Sequence, residues 1–344
     1  MKKIFIRSAI VIGSILFTIL TLELVLRVVY RFKFSPRGIA PLPVVKTYKL
    51  SKNRHLLYEL IPNSRARIEG INFEMNSWGF RDKKYRVRKQ HKKRIIFIGD
   101  SLTYGWLLHL DETYHKRLEK LLNTRDYDVD VMGMGVAGYN TIQEYYLIKE
   151  KTLQFNPDMI ILQICPNDFE RTVSIKKYRE GKKLVLVPYH DFSIPYVIRK
   201  VGITKFLMKY SHLYKFINLK LFWLKRKYDQ NYSPEENFLL GEEKSFRYLK
   251  KIKNLLDRKD VQFSAVIFPI RKANEVYPYA SLHEKMHNRL EEWRVPYLDL
   301  YEELNIKNKE GIWIERLHLN AKGNEIAAHK IFDFIVPLLY ENDE

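Results

Sequence analysis

The sequence RIIFIGDSLT, residues 94–103, determines the fold class. Its first half contains a run of four apolar residues, which is typical of a strand that is buried on both faces. The run ends at Gly99, and Asp100 and Ser101 follow it in a turn. In an open parallel sheet, ligands bind at the edge formed by the carboxyl ends of the strands. The segment therefore predicts a parallel sheet with a polar site beside Ser101.

Further apolar strands and amphipathic helices alternate along the rest of the chain. The strands are predicted at residues 129–132, 159–164, 261–268 and 296–300, and the helices at residues 111–122, 141–153, 242–256, 281–293 and 321–336. Asp111 is the predicted N-cap of the first helix. Such alternation is typical of a parallel sheet covered by helices. We therefore predict an α/β fold, a three-layer α/β/α doubly wound parallel sheet of the flavodoxin-like type.

An insertion at about residues 170–241 interrupts the alternation and is far longer than an ordinary loop. It is rich in lysine, arginine and aromatic residues. This composition suits an interfacial surface, where rings lie at headgroup level and cations contact lipid phosphate. It suits equally well a helical cap with an aromatic core and solvated lysines. Under both interpretations the insertion covers the active site and shapes its pocket.

The N-terminal residues predict a membrane anchor. The stretch from Ser8 to Leu26 is apolar apart from Glu23 and several hydroxyl residues. At ~1.5 Å per residue it is about 28 Å long, close to the thickness of a hydrocarbon core. No small-x-small cleavage site follows it, which favours an uncleaved anchor over a signal peptide. Glu23 is expected to pair with Arg27, one turn further on.

Three segments follow from these patterns. We predict a transmembrane anchor at residues 1–30, a linker with a small β-rich extension at residues 31–92, and the α/β domain at residues 93–344. The positive-inside tendency nearly balances across the apolar stretch. The basic residues on its two flanks are Lys2, Lys3 and Arg7 on one side and Arg27, Arg31, Lys33 and Arg37 on the other.

The formal net charge of +20 raises the question of a nucleic-acid partner. The basic residues are spread along the chain, and no zinc-finger spacing, RNA-recognition signature or basic zipper accompanies them. We therefore predict no nucleic-acid partner. The single cysteine, Cys165, excludes an internal disulfide and a cysteine-based metal cluster.

Ser101 and His318 are the candidate nucleophile and general base. A serine hydroxyl is a poor nucleophile without a base. Of the ten histidines, His318 is singled out because Glu315 lies three residues before it and an amphipathic helix begins just after it. The loop after the last strand returns to the same edge of the sheet as Ser101. Glu315 can accept the Nδ1 proton and stabilise the imidazolium.

Two other loops at this edge offer hydrogen-bond donors. Gly138 follows the second strand of the sheet, and Asn167 follows the third. The N–H groups of Gly138 and Ser101 and the side-chain amide of Asn167 are suitable donors for a developing oxyanion. Each loop alone could be an ordinary turn. Together with the serine and the histidine they predict an active site.

A competing motif occurs in the sequence HEKMH, residues 283–287, which matches the zincin pattern H-E-x-x-H. When this stretch is drawn as a helix, polar residues lie on all of its faces. Neither Glu302 nor Glu303 is singled out by spacing as a third ligand. We therefore predict a solvated helix and no metal site.

The motifs resemble those of the SGNH/GDSL hydrolase family over roughly residues 94–339. The family's Gly-Asp-Ser corresponds to Gly99, Asp100 and Ser101, its block-two glycine to Gly138, its block-three asparagine to Asn167, and its Asp-x-x-His to Glu315 and His318. Residues 76–82 also resemble the extension that precedes the domain in anchored bacterial members. Two positions differ from the family pattern: Cys165 replaces a glycine, and Glu315 replaces the aspartate. A Ser-His dyad helped by a backbone carbonyl therefore remains an alternative to a triad.

The resemblance implies an esterase that works through an acyl-enzyme, with Ser101 as nucleophile, His318 as base, and Gly138 and Asn167 at the oxyanion. It implies neither a cofactor nor a metal. The expected substrate is an acyl ester of an envelope glycan or lipid, and anchored relatives imply a catalytic domain outside the cytoplasm. An O-acyltransferase that uses the same residues is the alternative. A non-catalytic binding protein is a third hypothesis, from another class.

Overall fold

The computed structural model describes residues 2–32, 47–53, 55–56, 58–89, 93–169, 211–214, 217, 234–271, 276–307 and 311–340. The chain divides into two compact units. The first comprises residues 1–41 and 185–233, and the second comprises residues 42–184 and 234–344. Most of the insertion predicted at about residues 170–241 lies outside the described residues, and so do most of its basic and aromatic side chains.

The first unit contains helix α1, Lys2–Phe32. Within α1, the stretch Phe5–Arg27 has 23 residues and a mean hydropathy of 2.4, and none of its most apolar window is buried. A helix of this length and composition can cross a membrane. The predicted ion pair is present, since Arg27 Nε donates to Glu23 Oε1 at 2.9 Å.

The Glu23 carboxylate has further partners within the same unit. The hydroxyl of Ser211 donates to it at 2.8 Å, and the N–H groups of His212 and Leu213 each donate at 2.9 Å. Residues 212–214 form a helical turn, and the first N–H groups of a helix have no acceptor of their own. These bonds lower the cost of placing a carboxylate in an apolar stretch.

Two antiparallel hairpins lie in the second unit ahead of its main sheet. In the first, β1 (Tyr48–Leu50) pairs with β2 (Tyr58–Leu60). In the second, β3 (Arg65–Ile68) pairs with β4 (Ile71–Glu74). Their inward side chains are apolar and buried, as at Phe73, so the hairpins can pack against the rest of this unit.

Among the described residues, the main sheet has five parallel strands. They are β5 (Lys93–Gly99), β6 (Val129–Gly135), β7 (Met159–Ile164), β8 (Gln262–Ile267) and β9 (Tyr297–Asp299), in the order β6-β5-β7-β8-β9. Strand β5 is an interior strand that lies between β6 and β7, with Ile98 level with Met134 and Leu162. The four apolar residues at 95–98 are fully buried. This is the flavodoxin-like strand order, which confirms the predicted fold class.

In the described part of the second unit, six helices follow the strands. They are α2 (Ser101–Tyr104), α3 (Tyr114–Thr124), α4 (Thr141–Leu147), α5 (Pro234–Asp257), α6 (Ala280–Glu292) and α7 (Ala321–Tyr340). Helix α3 packs with α7, and α4 packs with α5. Right-handed crossovers place these two pairs on opposite faces of the sheet, which completes the three layers.

The helix predicted to begin at residue 242 begins earlier, at Pro234, within the predicted insertion. Two other predicted helix boundaries are wrong for local reasons. Asp111 lies in a 3₁₀ turn, Leu110–Glu112, and α3 begins only at Tyr114. The Glu112 carboxylate accepts the N–H of His109 at 2.9 Å and closes this turn as a separate unit. The helix predicted at residues 141–153 is α-helical only to Leu147, after which residues 148–152 form a π-helical turn.

Candidate active site

Ser101 lies at the carboxyl end of β5, as its position in the sequence predicts. Strand β5 ends at Gly99, and Asp100 caps α2 by accepting the N–H of Leu102 at 2.9 Å. Ser101 is the first residue of α2. A Cβ at Gly99 would lie 2.2 Å from Gln163 Oε1, so any larger residue would displace the Gln163 amide where the strand turns into the helix.

The structure brings His318 and Glu315 to Ser101. His318 Nε2 lies 2.7 Å from Ser101 Oγ, which is hydrogen-bonding distance. The other ring nitrogen, Nδ1, is hydrogen-bonded to Glu315 Oε1. Glu315 also accepts the backbone N–H groups of Leu317 at 3.2 Å and of His318 at 3.1 Å. The three side chains form a continuous hydrogen-bonded chain of the kind found in serine hydrolases.

The ionisation of Glu315 follows from this environment. Burial would raise its pKa, but the hydrogen bond from the His318 ring, the charge of that ring and the two backbone N–H groups hold the pKa below its ordinary value. The carboxylate is therefore anionic at neutral pH. An anion at Nδ1 favours the tautomer in which His318 Nε2 can accept a proton.

Gly138 and Asn167 lie in the loops after β6 and β7. Gly138 has a φ of +80°, which suits glycine, and a Cβ there would lie 2.8 Å from Tyr58 Oη. The Asn167 side-chain nitrogen donates to Asp100 Oδ2 at 2.8 Å, which fixes the amide and leaves its second hydrogen for another acceptor. In the described part of the chain, the N–H groups of Ser101 and Gly138 have no protein acceptor.

Sequence reasoning gave no role to the side chains that hold these loops. Gln163 accepts the N–H of Asp100 at 3.1 Å, and Tyr58 donates to the carbonyl of Ala137 at 2.9 Å, next to Gly138. Gln163 could have been found, because it is the one polar side chain in β7 (Met159–Ile164) and a buried polar group needs a partner. Tyr58 carries no such signal, since its strand is separate from the main sheet.

Arg81 holds the loop that follows Ser101. Arg81 is 2% exposed, and its guanidinium donates to the carbonyls of Gly105 and Leu108, each at 2.6 Å, and to that of Tyr104 at 3.1 Å. The same loop carries Trp106, whose ring centroid lies 6.4 Å from that of His318. The segment predicted as an extension therefore braces one wall of the site.

Glu144 on α4 is a buried carboxyl group near Asp100. Within the described residues neither of its oxygens has a hydrogen-bond partner. Burial, with a smaller contribution from the charge of Asp100, raises the pKa of Glu144 well above its ordinary value. Glu144 is therefore protonated over a wide pH range in the folded protein, while the unfolded chain releases this proton near the usual pKa.

This difference predicts a pH-dependent stability that Glu144→Gln removes. Between the two pKa values the folded state binds one more proton than the unfolded state, so rising pH favours unfolding. In that interval we expect the unfolding free energy of the wild type to fall about 1.4 kcal/mol per pH unit more steeply than that of the variant. Urea unfolding of the full chain in a non-ionic detergent at pH 5, 6 and 7 measures both slopes, with the exposed Glu325→Gln as control. Parallel slopes for wild type and Glu144→Gln would contradict the assignment.

Glu315→Gln tests whether this carboxylate orients the histidine. The amide keeps the volume of the side chain but carries no charge, and it can present an N–H group to Nδ1. Both effects favour the wrong tautomer of His318. We expect kcat for a short aryl ester to fall on the order of 10²-fold, with a much smaller change in KM. Glu325→Gln, an exposed change on α7, serves as the control. A loss below about threefold would assign the orienting role to another group.

Burial decides two further points. Cys165 is fully buried, and a buried structural thiol is inert. The prediction that the helix with the HEKMH motif is solvated is wrong, because Leu282, His283, Met286 and Leu290 are buried along one face of α6. Even a helix with a largely polar sequence buries one row of side chains when it packs on a sheet.

The fold and the geometry at Ser101 define a doubly wound α/β protein with the side-chain arrangement of serine hydrolases. The sequence profile of the GDSL-like Lipase/Acylhydrolase family matches residues 97–326. The chain belongs to this family, and it is a hydrolase that acts on ester bonds. The predicted family and enzyme class are thereby confirmed, while the roles of the individual site residues stay predictions.

Solved structures to which the chain is similar include three esterases. They are the acetyl xylan esterase AlAXEase (16% identity, 71% of this chain and 100% of that chain covered, TM-score 0.46), the psychrotrophic esterase EstA from Pseudoalteromonas sp. (12%, 72% and 99%, 0.44) and the acetylxylan esterase Axe2 from Geobacillus stearothermophilus (15%, 72% and 95%, 0.44). No curated protein matches the sequence significantly.

Proposed function

We propose that this chain is a serine esterase that hydrolyses acyl esters through an acyl-enzyme on Ser101. The observation that carries the proposal is the 2.7 Å separation of His318 Nε2 and Ser101 Oγ. At this distance the imidazole can accept the hydroxyl proton while the oxygen attacks a carbonyl carbon. Glu315, bonded to Nδ1, stabilises the imidazolium that results.

The reaction proceeds in two halves. Ser101 Oγ bonds to the ester carbonyl carbon as its proton passes to His318. The N–H groups of Ser101 and Gly138 and the amide of Asn167 donate to the tetrahedral oxyanion. The ester C–O bond then breaks, and His318 gives its proton to the departing alcohol. Water repeats the attack on the acyl-enzyme, loses a proton to His318, and releases the acid as Ser101 regains its hydrogen.

The proposed substrate is an acyl ester of an envelope glycan or lipid. Support comes from α1, since a chain with an apolar helix that can cross a membrane works beside lipids and surface polymers. O-acyl transfer would use the same side chains, with a sugar hydroxyl in place of water as the second nucleophile.

A fluorophosphonate probe and an ester series test this function. We expect the probe to label the wild-type chain at Ser101, as shown by peptide mass spectrometry, and His318→Ala to be labelled far more slowly. The acyl preference follows from initial rates on aryl esters from acetyl to palmitoyl. Acetylated oligosaccharides and free sugar acceptors then distinguish hydrolysis from transfer by their products. Absence of labelling together with absence of ester cleavage would reject the proposal.

We further propose that α1 anchors the protein and that the catalytic unit lies outside the cytoplasm. Alkaline phosphatase fused after Glu344 is active only where disulfides form, so the fusion should be active in cells. An inactive phosphatase fusion with an active cytoplasmic reporter at the same position would place the unit inside. Extraction of the protein by alkaline carbonate would remove the anchor from the proposal.

A further inference from the structure

Two histidines and one aspartate converge beside the edge strand of the sheet, apart from the residues proposed for catalysis. His283 and His287 lie one turn apart on α6, and Asp299 is the last residue of β9. His283 Nδ1 and His287 Nε2 each lie 2.7 Å from the same atom, Asp299 Oδ2. The three potential ligand atoms all lie within 4.8 Å of one another.

The side chains around this cluster orient it. His283 Nε2 lies 3.1 Å from the hydroxyl of Tyr277, and Asp299 Oδ1 accepts the N–H of Tyr301 at 2.8 Å. The Tyr277 oxygen is itself fixed, because it accepts the N–H of Ile270 at 3.2 Å. These contacts occupy His283 Nε2 and Asp299 Oδ1. His283 Nδ1 and Asp299 Oδ2 are left to face the centre of the cluster, as in metal sites whose outer partners hold the ligands in place.

Two imidazole nitrogens and one carboxylate oxygen are a ligand set that Zn²⁺ commonly takes. Ligands about 2.0–2.1 Å from a tetrahedral zinc are about 3.3 Å apart. The observed separations from Asp299 Oδ2 are 2.7 Å, so a modest side-chain rotation opens the cluster to the required size. His283 is buried, whereas the side chain of His287 is 34% exposed. An ion therefore has an entry path and room for a water ligand.

The arrangement differs from that of a zincin. The third ligand is Asp299, from a different element of the fold, and neither Glu302 nor Glu303 belongs to the cluster. Glu284, which would be the general base of a zincin, is exposed on another side of the helix. The motif HEKMH thus supplies two ligands without the base of a metalloprotease.

We propose that His283, His287 and Asp299 bind a zinc ion that joins α6 to the end of β9. Strand β9 has three residues and lies at the edge of the described sheet, where pairing is available on one side only. A metal that binds only the folded arrangement adds its binding free energy to that of folding. The site is structural, and it does not take part in the proposed serine chemistry.

Zinc uptake by the full chain tests this proposal. Protein in detergent is stripped with a chelator, dialysed against zinc chloride and analysed for metal by mass spectrometry, and its thermal unfolding is followed with and without zinc. We expect one zinc ion per chain and a rise in the unfolding midpoint on the order of 5 °C at saturating zinc. Cobalt substitution should give the visible absorption of a tetrahedral site.

Variants at the most exposed ligand separate a built site from surface binding. His287→Ala should weaken zinc binding at least about 100-fold and abolish the rise in midpoint. His287→Cys restores a zinc ligand and should recover uptake. His329→Ala removes an exposed histidine of α7 and should behave as the wild type. Absence of zinc uptake by the wild type, or equal uptake by wild type and His287→Ala, overturns the proposal in favour of a hydrogen-bonded cluster only.

Discussion

Ser101→Ala is expected to abolish the hydrolysis of short aryl esters, with a loss of kcat/KM of at least about 10⁴-fold. The side chain provides the atom that bonds to the acyl carbon, and water held in its place is a far weaker nucleophile. Asp100 still caps α2 after this change, and Ser101 contributes little volume to the core. The fold should therefore be unaltered. Initial rates with p-nitrophenyl acetate and the thermal unfolding midpoint measure the two effects.

A control substitution at another serine shows whether the loss of activity is specific to Ser101. Ser281 is an exposed serine at the start of α6, and Ser281→Ala should keep wild-type rates. Retention of even a tenth of the activity by Ser101→Ala would exclude the proposed acyl-enzyme. If Ser101→Ala also lowered the unfolding midpoint strongly, the loss of rate would instead reflect damage to the fold.

His318→Ala is expected to cost about as much as Ser101→Ala, and the double variant should lose little more. The two side chains act as one unit, because the hydroxyl lies 2.7 Å from Nε2 and gives up its proton to that ring during the attack. Losses from residues that act as a unit are strongly non-additive. The four proteins of this cycle are compared by kcat/KM for the same ester, and His329→Ala serves as the control.

A multiplicative result would have a clear meaning. If each substitution reduced the rate by the same factor in the presence and absence of the other, Ser101 and His318 would act independently. The pairing of nucleophile and base would then be wrong. A fall in rate for His318→Ala that external imidazole reverses would support the pairing further, because the added base replaces the missing ring.

The main strands could be predicted because a strand that is buried on both faces needs a continuous apolar run, and such a run is a local property of the chain. The strand at residues 159–164 is observed as predicted. The start of α3 was missed because the Glu112 side chain closes a separate turn ahead of it. Competition between a side chain and the helix backbone for the same N–H group is decided by a few tenths of a kcal/mol, about the size of propensity differences.

The candidate site was predictable to the extent that strand ends meet at one edge of a parallel sheet. That rule places Ser101, Gly138 and Asn167 together without knowledge of side-chain positions. The supports behind them were not predictable, since Arg81 and Tyr58 come from the segment ahead of the sheet. Their bonds depend on how that segment packs on the finished sheet.

The sequence by itself determined the fold class, the apolar N-terminal helix and the family, because each rests on patterns within short stretches of chain. Only the tertiary structure decided which distant side chains meet. His318 reaches Ser101 across 217 positions, and Asp299 rather than Glu302 or Glu303 joins the two histidines of α6. Glu144 is buried without a hydrogen-bond partner among the residues that the structure describes. The physical reason is that side-chain contacts depend on strand register and on the packing of whole helices, and local composition does not specify either.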